Sequence, residues 1–146
     1  MVAGFFYGLY MDPELLKALG YRPEGAVQAC LKEYRLDLQG AAKVIPQKNS
    51  EVWGNILHLP EEDLAKMYGS ETTKAYQPEL LEVFGKDGEA CPLTVYNLPP
   101  SPEAPFNFEY LNKLLPLAES HSLPRPIKPF LRGWGRDSVK KILNLT

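Results

Sequence analysis

The sequence predicts an α+β fold: a small mixed, partly closed β-sheet or barrel with a few flanking helices. Three observations predict it. Runs of β character outnumber runs of helical spacing, and the two kinds do not alternate regularly as a doubly wound sheet requires. ELLEVFG-KDG-EACPLTVYNL (79–98) is a clear hairpin signal, two β-rich runs around Lys86-Asp87-Gly88. At 146 residues the chain has the length of one domain with a sizeable core, so a single domain over 1–146 is expected.

Taken in order, the run from Phe5 to Leu9 reads as the end of a strand. Asp12 then has the character of an N-cap, with Pro13 at the first helical position. Leu15, Leu16 and Leu19 share one face, and Gly20 ends the helix. So tight a strand–turn–helix passage gathers backbone N–H groups at one spot, where an anion or polarised carbonyl can sit. AVQACLKEYRLDLQ (26–39) is strand-like, with Val27, Ala29 and Leu31 on one parity. Gly40 breaks it, AAKVIP (41–46) follows, and QKNS reads as a loop. EVWGNILHL (51–59) alternates again, Val52, Gly54, Ile56 and His58 opposing Trp53, Asn55, Leu57 and Leu59. Pro60 opens a short helix whose Glu61, Glu62 and Asp63 complement its N-terminal dipole. Leu64, Met67 and Tyr68 form its buried side, and Gly69 closes it. After the hairpin, PPSPEAP (99–105) is a stiff linker that cannot continue a sheet. FEYLNKLLPLAESH (108–121) has helical spacing through Tyr110, Leu111, Leu114, Leu115 and Ala118, with a kink or a fresh start expected at Pro116. DSVKKILNL predicts a last short helix from Asp137 or Ser138.

Composition removes several function classes. A hydrophobic content of 45% with 23% charged residues is that of a soluble globular protein. The net charge of −2 argues against a general nucleic-acid binder, since that affinity comes from neutralising phosphates. From Arg125 onward, six basic residues face the single Asp137, so a basic tail follows an acidic body. A docked or solvated tail is the plain reading, and an acidic partner the sharper one. No apolar run reaches the length of a membrane span, and the N-terminus lacks a basic signal-peptide region, so a cytoplasmic protein with no membrane partner is expected. The sequence leaves the oligomeric state open.

Metal and cofactor chemistry find no foothold. Cys30 and Cys91 fit no metal or redox spacing and read as buried small apolar residues. His58 and His121, the only histidines, have no ligand-spaced neighbours. Nucleophile-elbow, dinucleotide and P-loop patterns do not occur, so no cofactor is expected and any catalysis falls to carboxylate and backbone groups. Glu71 is the acid whose position stands out. It follows the C-terminal end of the 60–68 helix, where the negative end of the dipole disfavours its ionised form, and a raised carboxyl pKa suits a general acid/base. A solvated loop glutamate is the simpler account of the same position.

Four features in order carry a resemblance. They are the strand and turn Tyr7-Gly8-Leu9-Tyr10-Met11, the strand motif Val52-Trp53-Gly54, a short helix followed by a loop glutamate at the spacing of Glu71, and Tyr110 with its helix followed by Ser122-Leu123-Pro124. Together they make the chain similar to the gamma-glutamyl cyclotransferase-like family over nearly its whole length. The resemblance implies intramolecular cyclisation of a γ-glutamyl compound: its α-amine attacks the γ-amide carbonyl, forming 5-oxoproline and releasing an amino acid or amine. Glu71 would then carry the proton from ammonium to leaving nitrogen, and the amides around Gly8 to Met11 would hold a carboxylate or oxyanion. Tyr110, with Tyr76 or Tyr96, would line the pocket and position substrate, core packing with a bonded hydroxyl being the plain account of all three. Leu9 stands where relatives usually have Ser or Thr, and Thr72 where many have Gly. These departures motivate the alternative of a catalytically inactive binding or interaction module on the same fold.

Overall fold

Five strands and three helices emerge from these patterns in a computed structural model, which describes residues 1–121. The Ser122-Leu123-Pro124 turn, the basic tail and the helix expected from Asp137 lie outside the described residues. In chain order the elements are β1 (Val2–Phe6), a 3-10 turn (Leu9–Met11), α1 (Pro13–Ala18), β2 (Glu24–Asp37), β3 (Lys43–Leu59), α2 (Glu61–Met67), β4 (Gln77–Gly85), β5 (Ala90–Asn97) and α3 (Phe108–Ser120). The strands close into a barrel in the order β1-β3-β2-β4-β5. All neighbours are antiparallel except β1 and β5, which meet in parallel at Gly4 and Thr94. The mixed α+β sheet expected from the sequence to be partly closed is therefore the fold, with its closure complete.

The first strand is shorter than its apolar run. It stops at Phe6, and Leu9 already belongs to the 3-10 turn. Asp12 caps α1 by accepting the Glu14 N–H at 3.1 Å, with Pro13 behind it, and Gly20 turns the chain away at φ +92°. Only Leu16 of the expected face is fully buried; Leu19 is exposed.

β2 and β3 are long because QKNS does not leave the sheet. The strand runs through it to Leu59, and the extra residues are absorbed as a bulge opposite Glu33, where both Glu33 and Asn49 take positive φ. Strict alternation also fails at Ala29-Cys30-Leu31, all buried. The outer face is covered there, since the Gln28 amide donates to the His121 carbonyl beyond α3 at 2.9 Å. Val27 is exposed rather than sharing their face, and Cys91 is exposed on β5 rather than buried.

The core joins Phe5, Leu31, Leu57, Leu59, Val83 and Val95 of the strands to Leu16, Met67, Leu111 and Leu114 of the helices. Pro116 lies within α3 without ending it. Burial of Leu111, Leu114, Leu115 and Ala118, about 1.5–3 kcal/mol for each leucine, offsets the roughly 3 kcal/mol that an internal proline costs.

Buried polar groups pin the connections. Asn97 donates to the Val44 carbonyl and accepts its N–H, both at 2.9 Å, tying the end of β5 to β3. Asn55 on β3 donates to the Met11 carbonyl at 2.9 Å and so holds the first turn. Asp63 accepts the Arg22 N–H at 2.8 Å and pairs with its guanidinium. Burial opposes the charge on Asp63, but the Arg22 amide and guanidinium outweigh it and hold the carboxyl below its usual value. Lys43, fully buried, donates to the Gln39 carbonyl and faces Asp37 at 3.6 Å. The linker after β5 is fastened to the β2–β3 connection by the Asn107 N–H on Leu38 and the Gly40 N–H on Pro105. These ties bring the first turn, residues 41 and 42, and the start of α3 to one end of the barrel.

Candidate functional site

At that end six of the eight tyrosines converge on one cavity of about 310 Å³. The first turn supplies Tyr7 and Tyr10. The Tyr7 hydroxyl donates to the Tyr96 carbonyl at 2.8 Å, crossing from β1 to β5. Gly8 is required by close approach: a Cβ there would lie 2.1 Å from the Tyr110 hydroxyl oxygen. That oxygen accepts the Leu9 N–H at 2.9 Å, so Tyr110 on α3 clamps the turn. Asn107 caps α3 by accepting the Tyr110 N–H at 2.9 Å, which sets the tyrosine over the turn.

Tyr68, at the end of α2, forms the opposite wall. Its ring stacks on Tyr96 with centroids 3.9 Å apart and planes 10° apart, meets Tyr10 edge-on at 5.8 Å, and tilts against Tyr76 at 5.8 Å. The Tyr76 hydroxyl donates to the Ala42 carbonyl. Thr72, Thr73, Ala41, Ala42, Asn107 and Leu9 complete the wall with Phe5 and Phe6.

Burial first, and mutual proximity second, push the phenols of Tyr7 and Tyr68 well above their ordinary value; Tyr76 is raised for the same reasons. Tyr110 is pushed up to about 12 by burial, against the opposing pull of the Leu9 N–H. At neutral pH these hydroxyls are protonated and act as hydrogen-bond donors, not as bases. Among the described residues the wall holds no Asp, Glu, His, Lys or Arg.

Of the residues expected at the site, Tyr7, Gly8, Leu9, Tyr10, Tyr76, Tyr96 and Tyr110 line the cavity. Met11 does not; its side chain is in the core and its carbonyl is taken by Asn55. The turn amides are partly spent as well. Those of Met11 and Asp12 bond back to Gly8 and Leu9, and that of Leu9 goes to Tyr110. Those of Gly8 and Tyr10 have no protein acceptor among the described residues.

Glu71 lies outside the cavity. Its side chain is 88% exposed and pairs with Lys74 at 2.8 Å, the solvated loop glutamate of the simpler account. The cause is the turn it sits in. The Ser70 hydroxyl bonds those of Thr72 and Thr73 at 3.1 and 2.7 Å, and the Lys74 N–H reaches the Ser70 carbonyl at 2.8 Å. This winding turns Thr72 and Thr73 inward and sends Glu71 outward with Lys74. Tyr68 is the central wall residue that the sequence reading assigned only to the buried side of a helix. The signal available for it was its place among tyrosines flanking two separate turns. Among the described residues no group of His, Cys, Asp or Glu is arranged to hold a metal ion.

The fold and the cavity define a small closed-barrel protein with a ligand-sized aromatic pocket where its first turn meets its α2–β4 connection. The chain belongs to the gamma-glutamyl cyclotransferase, AIG2-like family, whose sequence model matches residues 4–112. Among solved structures, a gamma-glutamyl cyclotransferase superimposes with a TM-score of 0.70 at 17% identity, covering 99% of both chains. An uncharacterised protein from Homo sapiens gives a TM-score of 0.69 at 18% identity, covering 97% of this chain and 98% of that one. An AIG2-like protein from Mus musculus gives 0.56 at 21% identity, over 73% of this chain and 86% of that one. Identities this low establish the shared fold alone. A search of curated protein sequences finds no match.

Proposed function

We propose that this family member binds a small molecule in its tyrosine-walled cavity and does not cyclise γ-glutamyl compounds through Glu71. One observation carries the reading: among the described residues, the side chains lining the cavity are apolar groups, hydroxyls and one amide, while Glu71 faces water beside Lys74. Cyclisation needs a group that takes a proton from the substrate ammonium and returns it to the leaving nitrogen. Phenols held above their ordinary pKa do not take that proton at neutral pH. A cavity of this size, mainly apolar with a few convergent hydroxyls, has the character of a ligand site.

Cyclotransferase activity is the second reading, and one observation favours it beyond family membership. Thr72, the residue after Glu71, is part of the cavity wall, so Glu71 stands one residue along the chain from the site. Incubation of the purified protein with a panel of γ-glutamyl dipeptides and γ-glutamylamines, with 5-oxoproline measured, separates the two. The expected result is no release above that of Glu71→Gln, with both proteins melting within about 0.5 kcal/mol of each other, because an exposed ion pair contributes little. Release that Glu71→Gln abolishes would establish the cyclotransferase reading instead.

A further inference from the structure

The imidazole at the end of α3 reaches back to the turn on which the cavity is built. We propose that His121 is a pH-sensitive tie between α3 and the first turn. Neutral, it holds Asn55 and through it the Met11 carbonyl; protonated, it gives up Asn55 and keeps Asp12 alone.

His121 caps α3 and lies over β2 and β3. Gln28 and Asn55 are direct partners across those strands, and both reach it. The Gln28 amide donates to its carbonyl at 2.9 Å, and the Asn55 Nδ2 lies 3.3 Å from its Nδ1. Its Nε2 lies 3.5 Å from the Asp12 Oδ1, the oxygen that also accepts the Glu14 N–H. Among the described residues the charged group that pairs with the ring is therefore Asp12 of the α1 cap, while β2 and β3 present the neutral amides of Gln28 and Asn55. Its own helix adds the exposed Glu119 and the negative end of the helix dipole.

The proton positions follow from the acceptors. A backbone carbonyl only accepts, so the Asn55 atom 2.9 Å from the Met11 oxygen is its nitrogen. The second hydrogen of that nitrogen is left for His121, whose Nδ1 must then carry a lone pair, with the ring proton on Nε2 toward Asp12. Such a ring is neutral. Protonation puts an N–H on Nδ1, facing the amide hydrogens of Asn55. Turning the ring over does not help, since an imidazolium donates from both nitrogens. Turning the Asn55 amide over would offer its oxygen to His121 but set that oxygen against the Met11 carbonyl. Asn55 is buried, so water does not make good either loss. The new charge meanwhile strengthens the pairing with Asp12. Acidification thus exchanges β3 for α1 as the partner of His121. It loosens the hold on the Met11 carbonyl at the end of the first turn, whose Gly8, Leu9 and Tyr10 wall the cavity. The device works whichever ligand the cavity takes.

Proton–nitrogen NMR of the full chain, followed from about pH 8 down to about pH 5, where imidazoles change charge, tests this. At the upper end His121 should be the Nε2–H tautomer. The Asn55 side-chain amide and the backbone amides of Leu9 to Asp12 should then shift with the same midpoint as the His121 ring. In His121→Gln, whose side-chain oxygen can accept from Asn55 and whose amide can donate to Asp12, that shared transition should be lost. In His58→Gln, at an exposed position of β3, it should remain. An Nδ1–H tautomer at the upper end, first-turn resonances that stay flat while His121 titrates, or a transition that survives in His121→Gln would overturn the proposal. Should that variant fail to fold, the tautomer and the shared midpoint in the native chain decide the matter by themselves.

Discussion

Six phenols in one enclosure set the behaviour of the site at the scale of single residues. Tyr7, Tyr68, Tyr76 and Tyr110 are all raised above the ordinary tyrosine pKa, chiefly by burial. Unfolding returns each to about 10. The folded state therefore holds protons that the unfolded state has lost above that pH. Their stabilising contribution is complete below pH 10 and falls as pH rises toward and through about 12. Alkaline titration should accordingly show phenolate absorbance from these tyrosines appearing together with loss of the folded circular dichroism signal. Full ionisation of all eight tyrosines while the fold persists would contradict the buried cluster. The tyrosines of the first turn were legible because Tyr7-Gly8-Leu9-Tyr10 is a local pattern that makes its own turn. The side on which Glu71 falls was not legible. It depends on the winding of residues 70–74, where a one-residue change of phase exchanges inside for outside, and on hydroxyl bonds among Ser70, Thr72 and Thr73 that no apolar periodicity reports.

At the scale of elements, the passage from β1 to the first turn depends on β3. Phe6 pairs with Asn55, and the next residue in β3 is Gly54, over which the Phe6 carbonyl and Tyr7 pass. A Cβ at Gly54 would stand 2.1 Å from the Phe6 carbonyl oxygen and 3.0 Å from the Tyr7 Cα. Both obstacles are backbone, so a strand must move to admit a methyl group. Gly54→Ala should cost about 1–3 kcal/mol in urea unfolding with an unchanged m-value, and should weaken cavity ligands by displacing Tyr7. Stability equal to the native chain would show that β1 has room to shift. The glycine was visible in the Val52-Trp53-Gly54 motif, but its reason is a crossing between strands distant in sequence. The same limit explains QKNS: four polar residues read as a loop, yet pairing across a bulge keeps them in the strand. The 79–98 hairpin needed no such distant partner, and its two strands and turn stand where the sequence puts them.

Over the whole molecule, the barrel is a three-stranded unit, β1-β3-β2, closed by the β4–β5 hairpin through two narrow seams. β2 meets β4 in register only at Ala29–Gly85 and Cys30–Phe84, and β1 meets β5 only at Gly4–Thr94. The cavity lies across the second seam, with Tyr7 following β1 on one side and Tyr96 of β5 on the other, joined by the Tyr7 hydroxyl on the Tyr96 carbonyl. A molecule seated between them would contact both units and act as an added closure. At a hundredfold excess over its Kd, such a ligand stabilises the fold by about 2.7 kcal/mol, a rise in Tm of roughly 10 °C for a protein of this length. The distribution of that gain discriminates more sharply than its size. Opening of the seam breaks few sheet pairs, so it is a subglobal event of lower free energy than global unfolding. Hydrogen exchange with ligand bound should therefore slow most at the β1 and β5 amides flanking Gly4 and Thr94. The Leu31–Val52 and Lys32–Glu51 pairs of β2 and β3, outside the cavity wall and outside both seams, should change no more than the global stability does. Uniform slowing across all strands would mean that the barrel opens only as one unit and that the cavity does not bridge separable parts.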